Sequence, residues 1–167
     1  MSKAHVMAID YALALVLSTL VFSSFFFTWG EVSSRFSDIN SRDFQANRAM
    51  DFLLETNGSP TSWNSTTISQ ADWVGIARER NVVDENKLKQ FIKSDYNKTR
   101  EKLGIKPYNY FFNFTYADGS PYLYDGENAS FSGILPANDS DVTVVRGIGL
   151  LNGSRVMLKL MVWGLHG

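Results

Sequence analysis

The chain has 167 residues, of which 44% are hydrophobic and 20% charged, and its formal net charge is −1 at pH 7. This composition is typical of a chain that folds, and the lack of a basic excess argues against nucleic acid as a partner. Cysteine is absent, which excludes disulfide frameworks, thiolate metal sites and cysteine nucleophiles.

An apolar segment comes first along the chain. Residues 6–29 form a run of 24 residues in which Asp10 is the single charge. Since about 20 predominantly apolar residues span a bilayer as a helix, the run predicts a transmembrane helix in contact with membrane lipid. The alternative, a buried core helix of a soluble domain, is disfavoured because the run is apolar on every face. No small-x-small cleavage motif follows the run, so we expect it to be retained.

Two patterns indicate the orientation of this helix. Lys3 and the terminal amine precede the run, whereas Glu31 and Asp38 lie among the residues that follow it, which favours a cytoplasmic N-terminus. N-x-S/T sequons, of which chance predicts about 2, all follow the run and predict a glycosylated, extracellular C-terminal domain. The seven candidate glycosylation sites are Asn57, Asn64, Asn97, Asn113, Asn128, Asn138 and Asn152. The alternative is that Asn, Gly and Ser simply accumulate in turns.

The helical pattern continues past the apolar run. Apolar residues recur at steps of three and four and are interrupted once, at Asp43, for which we expect a tolerated edge position in preference to a polar contact. The stripe consists of Val32, Phe36, Ile39, Asp43, Ala46, Met50 and Leu53. The opposite, polar face carries Arg35, Asp38, Arg42, Arg48 and Asp51. Asn57-Gly58 predicts the end of the helix.

The rest of the chain predicts a small mixed domain. Asp84 is a good N-cap for a helix through Lys93, and Ser94 or Asp95 can cap a second helix that ends near Gly104. Strands are expected over 108–116 and 121–124, a polar loop over 126–140, and a hairpin over 142–151 and 155–163 joined by an Asn-Gly turn. The predicted fold class is α+β, with an antiparallel sheet of about four strands packed on the long helix.

These elements divide the chain into four parts. We expect a short cytoplasmic leader over residues 1–5 and a transmembrane or filament-core helix over 6–29. An amphipathic continuation of the helix covers 30–56, and an extracytoplasmic head domain covers 57–167.

Little in the sequence indicates catalysis. His5 and His166 are the only histidines, so a histidine-based triad or metal site is disfavoured. Neither a phosphate-binding loop nor a dinucleotide fingerprint is present. Acidic residues of the 125–141 region could bind calcium, but solvated loops are the preferred interpretation. The sequence therefore predicts no enzyme and no cofactor.

One part of the chain resembles a known family. Lys3-Ala4-His5, then residues 6–11 with Asp10, then a long apolar helix, resemble the N-terminus of archaeal type IV pilin-like proteins. The resemblance implies cleavage of a leader between His5 and Val6, which would place Asp10 at the fifth mature position. There its carboxylate would neutralise the new terminal amine of a neighbouring subunit. The chain departs from the family by having His5 where glycine usually precedes the cut.

The later part of the chain also resembles small N-terminally anchored proteins of archaeal envelopes. The similarity covers Leu53-Leu54, residues 57–60, Gly75-Ile76-Ala77 and the final hairpin that ends at Trp163. Together these resemblances imply a major or minor subunit of an archaeal type IV pilus-type surface filament. Its partners would be further copies or other pilin-like subunits, joined through the N-terminal helix. The alternative is a bitopic membrane protein that binds a partner or ligand through its extracellular head.

Overall fold

The computed structural model describes residues 3–124, 127–128, 130–138 and 140–164. The chain divides into two compact units, Met1–Asn40 and Ser41–Gly167. The division falls inside the long helix α1 (Lys3–Glu55), whereas the sequence placed the start of the head near residue 57. The last turns of α1 belong to the second unit because their apolar side chains, among them Ala46, Ala49 and Leu53, are buried in its core.

In the first unit, α1 is the single described element, and its side chains are exposed from Asp10 to Asn40. Among the residues that the structure describes, one helix is long and apolar enough to cross a membrane, and the apolar stretch that meets this criterion is not buried. This differs from a soluble core helix, whose apolar face is covered by its own domain.

The second unit is built on a mostly antiparallel sheet. Its six strands are β1 (Ala77–Glu79), β2 (Val82–Val83), β3 (Asn109–Tyr116), β6 (Phe131–Gly133), β7 (Val142–Leu151) and β8 (Ser154–Trp163). They lie in the order β1-β2-β7-β8-β3-β6, and β2 and β7 run parallel. Two further short strands, β4 (Leu123–Tyr124) and β5 (Glu127–Asn128), pair only with each other. The predicted α+β class is confirmed, with six strands in the main sheet instead of about four.

The three long strands explain why the sheet has a buried and an open face. On β8, Val156, Leu158, Leu160 and Val162 are fully buried, whereas the intervening Met157 is 43% exposed. Because successive side chains of a strand point to opposite faces, the strand presents one face to the core. That core face packs with residues of α1 and with the aromatic side chains of β3.

Two short helices complete the second unit. Helix α2 (Glu85–Lys93) begins at Asp84, whose carboxylate accepts hydrogen bonds from the N–H groups of Asn86 and Lys87. Helix α3 (Tyr96–Lys102) begins at Asp95, whose carboxylate accepts one from the N–H of Lys98. Both predicted caps are confirmed, the second at Asp95 and not at Ser94. The Asn-Gly turn of the hairpin is confirmed as well, with positive φ at Asn152 (52°) and Gly153 (83°).

One prediction was wrong in detail. The region 126–140 was expected to be a loop, but β6 lies inside it and forms the edge of the sheet beside β3. The sequence does not predict this strand because polar and small residues, which are typical of loops, make up most of it. Ser132 is buried with its hydroxyl 3.3 Å from the Tyr110 hydroxyl, and Gly133 adopts a φ of 104° against the β3 backbone.

Candidate functional site

The apolar surface of α1 is the largest uncovered apolar surface in the described part of the chain. Fifteen large apolar side chains between residues 10 and 40 are 36–81% exposed, which is unusual because folded proteins rarely leave a contiguous apolar surface of this extent open. They are Tyr11, Leu13, Leu15, Val16, Leu17, Leu20, Val21, Phe22, Phe25, Phe26, Phe27, Trp29, Val32, Phe36 and Ile39.

After Trp29 the helix carries charged as well as apolar side chains. Val32, Phe36 and Ile39 continue the apolar surface at helical spacing and are 40%, 63% and 36% exposed. Glu31 and Arg35 form an exposed ion pair of 2.7 Å one turn apart. Over residues 30–40 the helix is therefore amphipathic, and its apolar side is not covered there by any described residue of the chain.

Asp10 is the acidic group at the beginning of the apolar surface. Its side chain is exposed, and it makes no hydrogen bond or ion pair with the described residues. The candidate cleavage residues His5 and Val6 lie within α1, whose backbone runs unbroken from Lys3. Their side chains are outside the described part of the chain, and leader cleavage stays a prediction.

A polar network joins α1 to β7 where the helix becomes part of the head. Arg42 is only 4% exposed. Its Nε donates to Thr143 Oγ1 at 2.9 Å and its Nη2 to Asp141 Oδ2 at 2.9 Å. Thr143 Oγ1 in turn donates to Asp43 Oδ1 at 2.5 Å. The network connects residues about a hundred positions apart in the chain.

This network corrects two predictions. Arg42 was assigned to the exposed polar face, but it lies one turn before the buried Ala46 and two turns before the buried Ala49. Arg42 is therefore turned toward the sheet, whereas Arg48 and Asp51 of the same predicted face are exposed. Asp43 was expected to be a tolerated edge position, but its carboxylate is a half-buried polar contact to Thr143. The small residues Ala46 and Ala49 were the signal that could have located the buried side.

The sheet face that points away from α1, here called the outer face, combines apolar and basic side chains. Ile148 is 67% exposed, Phe131 49%, Met157 43% and Val144 40%. The three long strands β3, β7 and β8 contain no aspartate or glutamate. Their charged side chains are Arg146, Arg155 and Lys159, and none of these forms an ion pair with a described residue.

Strand register places these groups in rows across the outer face. Arg146 on β7 lies opposite Lys159 on β8, and Lys159 lies opposite Asn113 on β3. Asn113 lies opposite Phe131 on β6. A neighbouring row joins Ile148, Met157 and Thr115. An open depression of about 370 Å³ lies between the two rows and is lined in part by Asn113, Arg146 and Met157.

The sequon asparagines occupy different environments. Asn57 Oδ1 is buried and has no hydrogen-bond partner among the described residues. Asn64 Oδ1 accepts three hydrogen bonds from Thr66 and Thr67. Asn97 and Asn138 are exposed, and Asn113 is half-buried.

The two remaining sequons are also placed differently. Asn152 Nδ2 donates to Glu85 Oε2 at 3.0 Å and is thereby held at the hairpin turn. The side chain of Asn128 lies outside the described residues. Asn64 and Asn152 thus use their side chains in hydrogen bonds, whereas Asn97 and Asn138 are exposed. Glycosylation of the seven sites stays a prediction.

The carboxyl group of Glu85 has a strongly lowered pKa. Its carboxylate accepts hydrogen bonds from Lys89 at 2.9 Å, Asn152 at 3.0 Å and Tyr122 at 2.8 Å. These donors, with Lys89 the largest contributor, lower the pKa of Glu85 to about 2. Glu85 therefore fastens α2 to the hairpin turn and to the segment before β4. The spacing of Glu85 and Lys89 is a local sequence signal for an ion pair on α2. The sequence contained no signal for the contacts to Tyr122 and Asn152, which are 37 and 67 positions away.

Within the described ranges, no group of three or more His, Asp or Glu side chains comes together to hold a metal ion. Asp125 and Asp139, two of the residues considered for calcium, lie outside those ranges. Asp141 pairs with Arg42 instead.

Comparisons with known proteins identify no relative. The chain matches no protein-family model, no curated protein and no solved structure. The function must therefore be argued from the surfaces described above.

Proposed function

We propose that the chain is a structural, pilin-like subunit of a surface filament of the archaeal type IV pilus kind. It would assemble through its hydrophobic N-terminal helix with other copies or related subunits. The proposal assigns no catalytic residue and no cofactor.

The observation that carries this proposal is the uncovered apolar stripe beyond Trp29. A bilayer anchor needs about 20 apolar residues, which residues 6–29 already supply. Val32, Phe36 and Ile39 extend the apolar surface by a further two turns and are not covered by the described residues. Helices that associate side by side bury stripes of this spacing against one another. The stripe thus favours a helix that packs on neighbouring helices over one that serves only as an anchor.

Asp10 supports the same assembly. A carboxylate at the centre of a bilayer costs about 2.5–3.5 kcal/mol on insertion scales, whereas one near the start of the run, such as Asp10, can also reach the lipid headgroups at a lower cost. Asp10 has no partner among the described residues. A terminal amine on a neighbouring subunit, created if the leader is cut between His5 and Val6, would supply the compensating positive charge.

The charge and sequon patterns support a proposed placement of the chain. We propose that residues 1–5 face the cytoplasm, that the apolar helix first lies in the cell membrane, and that the head lies outside the cell. The exposed sequon asparagines Asn97 and Asn138 support this placement, because glycosylation requires accessible asparagine side chains in a secreted domain.

Two measurements test the proposal. Cells are sheared, and the chain is expected in the released fibre fraction together with its neighbours. N-terminal mass analysis of the chain from that fraction is expected to give a first residue of Val6. A chain that begins at Met1 or Ser2 in the fibres would refute the processed-pilin proposal.

A second candidate function is a bitopic envelope protein whose head binds a partner. The outer face favours this alternative, because apolar side chains and three cations that have no ion pair among the described residues suit an acidic partner. The shearing experiment separates the two functions, since a bitopic protein stays with the membrane pellet.

A further inference from the structure

Asn113 lies in the middle of the outer face and points away from the core. Its chain neighbours Phe112 and Phe114 are fully buried, and adjacent residues of a strand point to opposite sides. The side chain of Asn113 is half-buried and makes no hydrogen bond with the described residues. Its amide nitrogen is therefore open to modification in the folded head.

The hydroxyl that completes this sequon is presented on the same face. Thr115 lies two residues along β3, opposite Met157, and is half-exposed. The sequon at Asn97 differs, since Thr99 is fully buried and its hydroxyl donates to the Asp95 carbonyl at 2.8 Å. The Asn113 amide and the Thr115 hydroxyl therefore lie on the same partly exposed face of the folded head.

The surroundings of Asn113 have the chemistry to hold a covering group. Lys159 lies directly across from it and Arg146 one strand further. With strands about 4.8 Å apart, the backbone positions of Lys159 and Arg146 lie roughly 5 and 10 Å from that of Asn113. A glycan of about two sugar rings would cover this span. Ile148 and Met157 in the neighbouring row are exposed apolar side chains that would otherwise face water.

We propose that Asn113 carries an N-linked glycan with carboxylate or sulfate groups, and that this glycan lies across the outer face. The anionic groups pair with Lys159 and Arg146, and the sugar rings cover Ile148 and Met157. This inference rests on the extracytoplasmic placement of the head proposed above.

The modification requires a second substrate and a separate transferase. Asn113 Nδ2 attacks the anomeric carbon of an oligosaccharide linked to a lipid phosphate. The new N–C bond forms as the bond between that carbon and the phosphate oxygen breaks. The lipid phosphate leaves, and the amide nitrogen gives up one proton to solvent.

Peptide mass analysis tests the modification on full-length protein from its native cells. Digestion with trypsin and Asp-N releases residues 103–117, in which Asn113 is the only sequon. We expect this peptide to carry a glycan mass that includes acidic sugars or sulfate. An unmodified peptide beside glycosylated Asn97 or Asn138 would overturn the inference and leave the extracytoplasmic placement intact. Absence of glycans from all seven sites would overturn the inference and remove the sequon support for that placement.

Oxidation of Met157 tests whether the glycan covers the face. Thr115→Ala removes the sequon but keeps Asn113, and Thr115→Ser keeps the sequon as the matched control. We expect peroxide to convert Met157 to its sulfoxide roughly threefold faster in the Thr115→Ala protein, because methionine oxidation follows exposure. Equal rates in the two proteins, with Asn113 glycosylated in the control, would show that the glycan points away from the face. A neutral glycan at Asn113 would overturn the pairing with Lys159 and Arg146.

Discussion

Gly147 of β7 lies directly against Leu54 of α1: a Cβ atom added at Gly147 would stand 2.4 Å from Leu54 Cδ1 and 3.1 Å from Met50 Sδ. The helix therefore rests on a point of the sheet where the strand has no side chain. The next inward-facing position of β7, Gly149, is also a glycine, and it lies near the same leucine. These two glycines set how closely α1 approaches the strand.

Gly147→Ala should lower the free energy of unfolding of the head by about 1–3 kcal/mol, because overpacking forces the helix or strand to shift. In a Leu54→Ala background the added methyl group has room, so the loss of unfolding free energy caused by Gly147→Ala should fall by at least half. Chemical denaturation of the full-length chain in detergent measures both values. Gly164→Ala is the control, since no described heavy atom beyond its chain neighbours lies within 4 Å of a Cβ at that position. Equal losses of unfolding free energy in the wild-type and Leu54→Ala backgrounds would disprove the contact between Gly147 and Leu54.

Met50→Ala and Phe36→Ala should separate stability from assembly. Met50 is 3% exposed and Phe36 is 63% exposed. Met50→Ala should destabilise the head by about 2–5 kcal/mol, the usual cost of removing a buried methionine side chain. Phe36→Ala should leave head stability unchanged but reduce the amount of protein in sheared fibres. If Met50→Ala costs almost nothing, this part of the stripe faces other subunits instead of the core.

Arg42→Ala should destabilise the head by about 2–3 kcal/mol, because hydrogen bonds from a charged donor contribute about 1.5–3 kcal/mol. The partner Asp141 has a side chain that is 67% exposed, so it regains water when Arg42 is removed, and the cost stays below that of a fully buried pair. Arg48→Ala is the control, since Arg48 is exposed and lies over the Phe52 ring at 5.2 Å. Thermal unfolding followed by circular dichroism is suitable, and similar losses in both variants would contradict the assigned role.

Asp10→Asn should leave the head folded and the helix inserted, but weaken association between subunits. The reason is that the amide cannot neutralise a neighbouring terminal amine. The fraction of protein in sheared fibres at neutral pH is the measurement. Asp51→Asn, an exposed acid on the head part of α1, is the matched control. Unchanged association in Asp10→Asn would rule out charge pairing at this position.

Glu85→Gln should reduce the stability of the head at neutral pH by about 1 kcal/mol, a value lowered for solvent screening because the side chain is 36% exposed. The pKa of Glu85 is lowered from 4.5 to about 2 in the folded chain. The ionised carboxylate thus stabilises the fold fully above pH 4.5, and this contribution is lost as the pH falls toward 2. The difference between wild type and Glu85→Gln should shrink over that pH window. Glu101→Gln, which changes an exposed acid, should show no such convergence.

Much of the fold could be predicted because its signals are local. Asp84 and Asp95 cap helices through hydrogen bonds to residues two or three positions away. The Asn152-Gly153 turn depends on the φ angles of those two residues. The short strand β6 escaped prediction because Ser132 and Gly133 have the composition of a loop, and its pairing partner β3 lies some twenty residues earlier.

The sequence by itself determined that residues 6–29 are long and apolar enough to cross a membrane, because that property depends only on consecutive side chains. It also determined where the caps, the hairpin turn and the helical stripe lie. Only the tertiary structure decided which part of the stripe is core. Met50 and Leu53 are buried whereas Val32 and Phe36 are open, although all four follow one pattern. It likewise decided that Arg42 is buried and that Asn113 lies beside Lys159. Burial and strand register depend on contacts between segments that are distant in the chain. A local sequence pattern does not specify which distant segment packs against it.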